Sequence, residues 1–134
     1  MKIKRTVDQD EIKKILFHPS IYPEISGGKQ LDFDTTVFPL DSALYIGGYN
    51  GDIFALSCFH DFKDGLKFHP NVLPEYRLQY ARDFIQQSLD MVKCPVYIEI
   101  PINRKRLFNL AKKIGFDSIA NNKDPSNTIL MRLL

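Results

Sequence analysis

Residues 65–92 constrain the fold more than any other stretch, because they read as a strand, a proline-broken turn and a long amphipathic helix in direct succession. Leu66, Phe68 and Val72 suit a strand, and Pro70, which has no N–H for a ladder, marks a bulge or the strand's end. Past the turn, Tyr80, Ala81, Phe84, Ile85, Leu89 and Val92 recur at helical spacing, while Arg82, Asp83, Gln86, Gln87 and Asp90 fall largely on the other face. Pro74 stands in the first helical turn, where its missing N–H removes no bond. A strand that feeds a helix in this way aims several free N–H groups at one point, which attracts phosphate or another anion.

The flanking sequence extends this unit into a single domain over residues 1–134. Residues 3–7 form a short strand, and Asp8-x-x-Glu11 is the capping-box pattern ahead of a helix carrying Ile12, Ile15 and Leu16, which ends near His18-Pro19. Residues 19–41 carry little periodicity, and a loop of that length in a compact domain is more often functional than idle. Two apolar runs at 43–48 and 53–59 flank Asn50-Gly51, the strongest short hairpin signal, and residues 61–65 turn the chain back beside them. Residues 96–100 form another strand, closed by Pro101. Asn103 then caps a helix bearing Leu107, Leu110, Ala111 and Ile114, with Gly115 past its end. Residues 116–120 and 128–133 finish as a strand pair joined by the polar loop 121–127. The expected order is β-α-β-β-β-α-β-α-β-β, an α/β fold.

With 44% apolar residues in 134, the chain holds enough for one core and too little for two. Its 18 basic and 16 acidic residues leave a formal charge of +2, so nothing general points to nucleic acid or an anionic membrane. Arg104, Lys105, Arg106, Lys112 and Lys113 form the most basic segment and read as a solvated helix face well placed for the dipole. Cys58 and Cys94 lack metal-ligand spacing and read as buried free thiols in a reducing compartment, with a disulfide the lesser alternative. The charged first residues lack the apolar run of a signal peptide, and no later run reaches membrane-spanning length, so a soluble cytoplasmic protein is expected.

Among titratable groups, His69 sits where a strand residue faces the turn, so two roles stay open: general base, or histidine hydrogen-bonded at a strand end. His18 and His60 read as helix-end and turn residues, and Glu99 as a solvent-facing strand carboxylate, with a catalytic carboxylate the lesser alternative. Tyr76 and Tyr80 read as packing aromatics. The pairs Gly27-Gly28 and Gly47-Gly48 precede no helix and read as loop and hairpin-end glycines.

The element order, the turn Val72-Leu73-Pro74-Glu75-Tyr76-Arg77 into a helix, and Gly115-Phe116 after an amphipathic helix together resemble the GCN5-related N-acetyltransferases, the GNAT superfamily. The resemblance spans most of the chain and implies a mixed, mostly antiparallel sheet that splays after its fourth strand. Acetyl-CoA would lie in the wedge, with its pantetheine arm on the backbone of Val72 and Leu73 and its pyrophosphate on the next helix's N-terminus. An amine would then attack the thioester, with His69 the candidate base. The family's R/Q-x-x-G-x-G/A cradle falls on Arg77, Leu78, Gln79, Tyr80, Ala81 and Arg82: the first position agrees, but Tyr80 and Arg82 put bulk where close backbone approach wants glycine. The family's asparagine falls on Arg104, with Asn103 one place away, and its acid tyrosine falls on Ala111, which has no proton to give.

A narrower likeness rests on His18-Pro19 with Ile21-Tyr22 and Ile25, on His69 ahead of Val72-Leu73-Pro74-x-x-Arg77, and on Ile100-Pro101 with Leu110-Ala111 before Gly115-Phe116. These resemble the short acetyltransferase-like proteins of tailed bacteriophages, some of them head-assembly or injection-related. Taken with the departures at Tyr80, Arg82 and Ala111, which imply a degenerate acyl-CoA site and weak or absent acetyl-CoA binding, that likeness implies protein partners, among them phage structural proteins. The alternative is an active acetyl-CoA-dependent N-acetyltransferase. No metal is expected.

Overall fold

The structure, a computed structural model, describes residues 1–23, 30–119 and 128–133. In chain order the elements are β1 (Lys2–Arg5), α1 (Gln9–Leu16), β2 (Ala43–Asn50), β3 (Asp52–Phe62), β4 (Gly65–Val72), α2 (Pro74–Asp90), β5 (Val96–Pro101), α3 (Lys105–Ile114), β6 (Asp117–Ser118) and β7 (Thr128–Leu133). This is the expected order, with ends moved by one to three residues for most strands. The polar loop 121–127 and the glycine pair Gly27-Gly28 lie outside the described residues, as does Ile25.

One seven-stranded sheet runs β1-β2-β3-β4-β5-β7-β6, antiparallel throughout except for β4 beside β5. The meander β2–β3–β4 follows from two tight turns. Gly51 takes φ 83 between Asn50 and Asp52, as the Asn-Gly signal requires, and Lys63 takes φ 50 in the turn to β4.

The helices bury apolar stripes on opposite faces of the sheet. On one face, α2 packs Phe84 against Phe54, with ring centroids 6.4 Å apart, and the Ser57 and Ser88 hydroxyls hydrogen-bond at 2.8 Å in the core. A Cβ at Gly48 would stand 2.6 Å from the Phe84 ring, so the bare glycine sets how closely α2 approaches the sheet. Helix α3 joins this face through Leu107, Leu110, Ala111 and Ile114, which meet Phe68, Ile85, Ile98 and Phe116 around a residual void of about 10 Å³. Helix α1 covers the other face.

Several local expectations are corrected. Asp8 caps α1 by accepting from the Asp10 and Glu11 N–H groups, but Glu11 does not complete the box. Its carboxylate instead accepts from the Thr6 hydroxyl at 2.6 Å and the Tyr49 hydroxyl at 2.7 Å, while the Asp8 N–H donates to Thr6 Oγ1. The two cysteines are free, but Cys94 is exposed and Cys58 only half-buried at the residue level. The residue at the cap position of α3 is Arg104, whose side chain does not cap the helix, and Asn103 is an exposed turn residue one place upstream. Val92 lies beyond the end of α2, which stops at Asp90.

Pro70 is the most informative correction. It marks neither a bulge nor a strand end, because β4 passes through it in unbroken register, with Ser57 opposite Pro70 and Cys58 opposite His69. The Leu73 N–H donates to the Phe54 carbonyl in β3, and the Leu66 N–H donates to the Pro95 carbonyl beside β5. Backbone groups alternate sides along a strand, so odd residues of β4 face β3 and even residues face β5. The missing N–H of Pro70 is therefore on the β5 side, where no ladder bond is lost.

Candidate functional site: the β4–β5 wedge

Parallel pairing between β4 and β5 is limited to Leu66 with Val96 and Lys67 with Tyr97. Beyond these two pairs the ladder ends, although β4 continues to Val72 and β5 to Pro101, so the strands part toward their C-terminal ends. The root is drawn tight at Gly65, where a Cβ would stand 1.9 Å from the Pro95 carbonyl oxygen. Helix α2 follows β4 and α3 follows β5, which places both helix N-termini at the open end of the wedge.

The seam-facing backbone is only partly available. By the alternation established above, Phe68, Pro70 and Val72 face it from β4, and Tyr97, Glu99 and Pro101 face it from β5. Pro70 and Pro101 have no N–H to offer. The Val72 carbonyl accepts from Arg77 Nε at 2.8 Å, and the Pro101 carbonyl accepts from the Arg104 N–H at 2.9 Å. What remains without a ladder partner across the seam is the N–H of Val72 and of Glu99 and the carbonyls of Phe68, Pro70 and Glu99.

The predicted cofactor residues take the following positions. Val72 and Leu73 are buried at the end of β4 and at the cap of α2. Helix α2 begins at Pro74, so Leu78, Gln79, Tyr80, Ala81 and Arg82 lie in its second and third turns. An amide there donates to the carbonyl four residues earlier and does not point at a ligand. The Leu78 side chain is fully exposed, at 102%. Tyr80 packs on Phe54 with centroids 5.2 Å apart, Tyr76 does so at 4.7 Å, and Arg82 is exposed. Asn103 is exposed beyond the end of β5. Ala111, 3% exposed, is part of the apolar crevice between α3 and the sheet, so the side chains that α3 sends there are all hydrocarbon.

The polar residues of the wedge collect on its other face. Phe68 and Ile98 turn toward α2 and α3, which leaves Lys67, His69 and Glu99 on the opposite side. Lys67 and Glu99 form an ion pair of 3.3 Å across the diverging strands. His69 is exposed at the residue level and stacks its ring on His60 with centroids 5.1 Å apart. Shielding by the surrounding strands, then the charges of His60 and Lys67, push its imidazole down to about 4, against a smaller upward pull from Glu99. It is neutral at neutral pH and accepts protons weakly, since general bases work best with a pKa near the working pH. Asn71 holds the strand beside it, its amide donating to the carbonyls of Leu56 and His69. Burial pushes the Cys58 thiol up to about 12, which removes it as a nucleophile.

Two polar groupings escaped the sequence reading. The Lys67–Glu99 pair was implicit in strand period, since both residues are out of phase with their apolar neighbours, but the register between β4 and β5 is long-range. At the root of the sheet Asp64 accepts from the Tyr97 hydroxyl and pairs with Arg132 at 2.6 Å. The Tyr97 hydroxyl, first among several causes, holds the Asp64 carboxyl below the usual range. Among the described residues no group of three or more His, Cys, Asp or Glu side chains is placed to share a metal ion, and no described helix is long and apolar enough to cross a membrane.

No family model matches the sequence, and no curated protein matches it by sequence. Solved structures do match by shape. Spermidine N-acetyltransferase from Vibrio cholerae, in complex with CoA and spermine, is similar at a TM-score of 0.75 and 13% identity, covering 99% of this chain and 94% of that one. Ribosomal-protein-S18-alanine N-acetyltransferase from Escherichia coli is similar at 0.66 and 16%, covering 98% and 92%. A putative acetyltransferase of the GNAT family from Desulfovibrio desulfuricans is similar at 0.65 and 12%, covering 98% and 97%. At such identities the likeness is one of fold, and the chain has the GNAT fold.

Proposed function

We propose that this chain is a GNAT-fold protein with a degenerate acyl-CoA site that works through protein contacts, as the phage head-assembly and injection proteins it resembles in sequence are described to do. The observation that carries this reading is the start of α2 at Pro74, which puts residues 78–82 inside a continuous helix where a diphosphate would need open amides. The residues present do not fit that part of acetyl-CoA: Leu78, Tyr80 and Arg82 add bulk, and Arg77 turns its Nε back onto the Val72 carbonyl. Ala111 offers no proton to a departing thiolate. The apolar side chains exposed near the open end, Leu78 at 102% and Ile102 at 52%, suit a protein surface better than a phosphate.

Thermal melts with acetyl-CoA test the cofactor half of this proposal. A ligand at a hundred times its Kd stabilises a native protein by about 2.7 kcal/mol, several degrees for a chain of this size. No shift is expected at millimolar acetyl-CoA. A clear shift that Arg77→Glu removes would overturn the reading in favour of the N-acetyltransferase alternative, whose support is the wedge itself. Deleting the chain from a phage that encodes it tests the assembly half: incomplete or non-injecting heads are expected, and fully infective particles would count against it.

A further inference from the structure

Helix α3 presents an outer face with no acidic residue on it. Lys105, Arg106, Asn109, Lys112 and Lys113 are exposed, while Leu107, Leu110, Ala111 and Ile114 turn to the sheet and Phe108 packs half-buried against the core. The exposed set runs from the first turn to the last, so Lys105 and Lys112 stand about 10 Å apart along the axis. With Arg104 ahead of the helix, residues 104–113 hold five of the chain's 18 basic residues and none of its 16 acidic ones. The rest of the chain is therefore net acidic, with 13 basic residues against 16.

Neither the helix dipole nor internal pairing accounts for the whole set. Lys112 and Lys113 lie in the last turn, where the dipole favours cations, but Lys105 and Arg106 open the helix, where it opposes them. The expectation of a basic face well placed for the dipole thus holds for the C-terminal pair only. Among the described residues, Lys105, Arg106 and Lys113 have no ion-pair partner, and Lys112 meets Asp117 at 3.5 Å in a pair open to solvent. Cations kept against the dipole and without partners are available to an anion outside the chain.

We propose that this face binds the phosphate backbone of a nucleic-acid duplex without reading its sequence. An acidic protein would feel the same charges, but protein interfaces have an apolar, aromatic-rich core from which lysine is depleted. None of the exposed large apolar side chains among the described residues lies on α3. Phosphate contacts need no such core, because release of counterions supplies the affinity. A single strand would want exposed rings on which to stack its bases, and Phe108, the one ring on α3, packs on the core. Nor does a ligand in the wedge explain the face, since the wedge opens at the N-terminal end of α3 and Lys112 and Lys113 lie about two turns away from it. This inference therefore stands independently of the function proposed above.

Fluorescence anisotropy with short labelled duplex DNA and duplex RNA of arbitrary sequence tests it. Binding at low salt is expected, alike across sequences and weaker by about a hundredfold between roughly 50 and 200 mM salt for about four phosphate contacts. Lys105→Gln and Lys113→Gln should each lower the salt slope by about one. The double reversal Lys105→Glu with Lys113→Glu should weaken binding about tenfold or more, whereas Lys2→Glu on the edge strand β1 should have much the smaller effect. These side chains are exposed, so unchanged melting of the variants is expected and shows that folding is not what moved. Failure of both duplexes to bind at low salt would overturn the proposal, as would a Lys2→Glu loss equal to those on α3. Polyglutamate that competes equally at matched charge would give the face to an acidic protein instead, and displacement of the duplex by millimolar acetyl-CoA would give it to the wedge.

Discussion

The β2–β3–β4 meander and the β4–β5 seam share a strand but obey different rules. In the meander, eight residue pairs join β3 to β4 in unbroken register, both connections are tight turns, and α2 presses Phe84 onto the sheet where Gly48 has no side chain. At the seam only two pairs form, prolines stand where donors would face the gap, and carbonyls are taken by Arg77 and Arg104. The meander is therefore continuously paired through its backbone, while the seam is an opening between two parts of the sheet that are each paired on their other side. Proline distribution makes the difference plain: Pro70 and Pro101 lie within strands, yet each points its missing N–H into the gap and neither interrupts a ladder.

The largest expected effect breaks the meander. Phe84 is fully buried, so Phe84→Ala should destabilise by about 3–5 kcal/mol in a urea melt. A loss well under that would mean that the β3–α2 contact is not central to the core. Gly65→Ala is the seam counterpart. Its Cβ would collide with the backbone oxygen of Pro95, which no side-chain rotation relieves, so a loss of about 1–3 kcal/mol is expected. Hydrogen exchange should quicken first at the Leu66 N–H, which pairs with that carbonyl, and unchanged protection there would show that the root is not held as described.

The smallest effect sharpens the comparison through pH. His69 is held neutral in the folded chain, with its pKa lowered from 6.5 to about 4, so the unfolded chain binds the extra proton first. Stability should be unaffected by this group above pH 6.5 and should fall as the solution is acidified from there toward 4. The slope is modest because the imidazole keeps solvent contact. His69→Asn should flatten that part of the profile, and an identical acid limb in the variant would remove His69 from the account.

Element order and the core-facing stripes were readable because they are local. The spacing of Phe84, Ile85 and Leu89, the Asp8 cap, the Asn50-Gly51 turn and Gly115 at φ 122 each depend on residues a few places apart. The acetyltransferase resemblance likewise rested on short motifs at helix starts and ends. The partners of polar groups were not readable in this way. Glu11 satisfies a capping pattern by spacing, yet its carboxylate goes to Tyr49, and Arg77 matches a phosphate motif, yet its guanidinium folds back on Val72.

What the sequence by itself determined is therefore the set of helices and strands and the faces they bury, since both follow from the 3.6- and two-residue periods of the backbone. Only the tertiary structure decided on which side of β4 Pro70 lacks its donor, how far β4 and β5 stay paired, and which charge lies beside His69. Those outcomes depend on which strands lie next to one another and in what register. Pairings between residues far apart in the chain set both, and no local period encodes them.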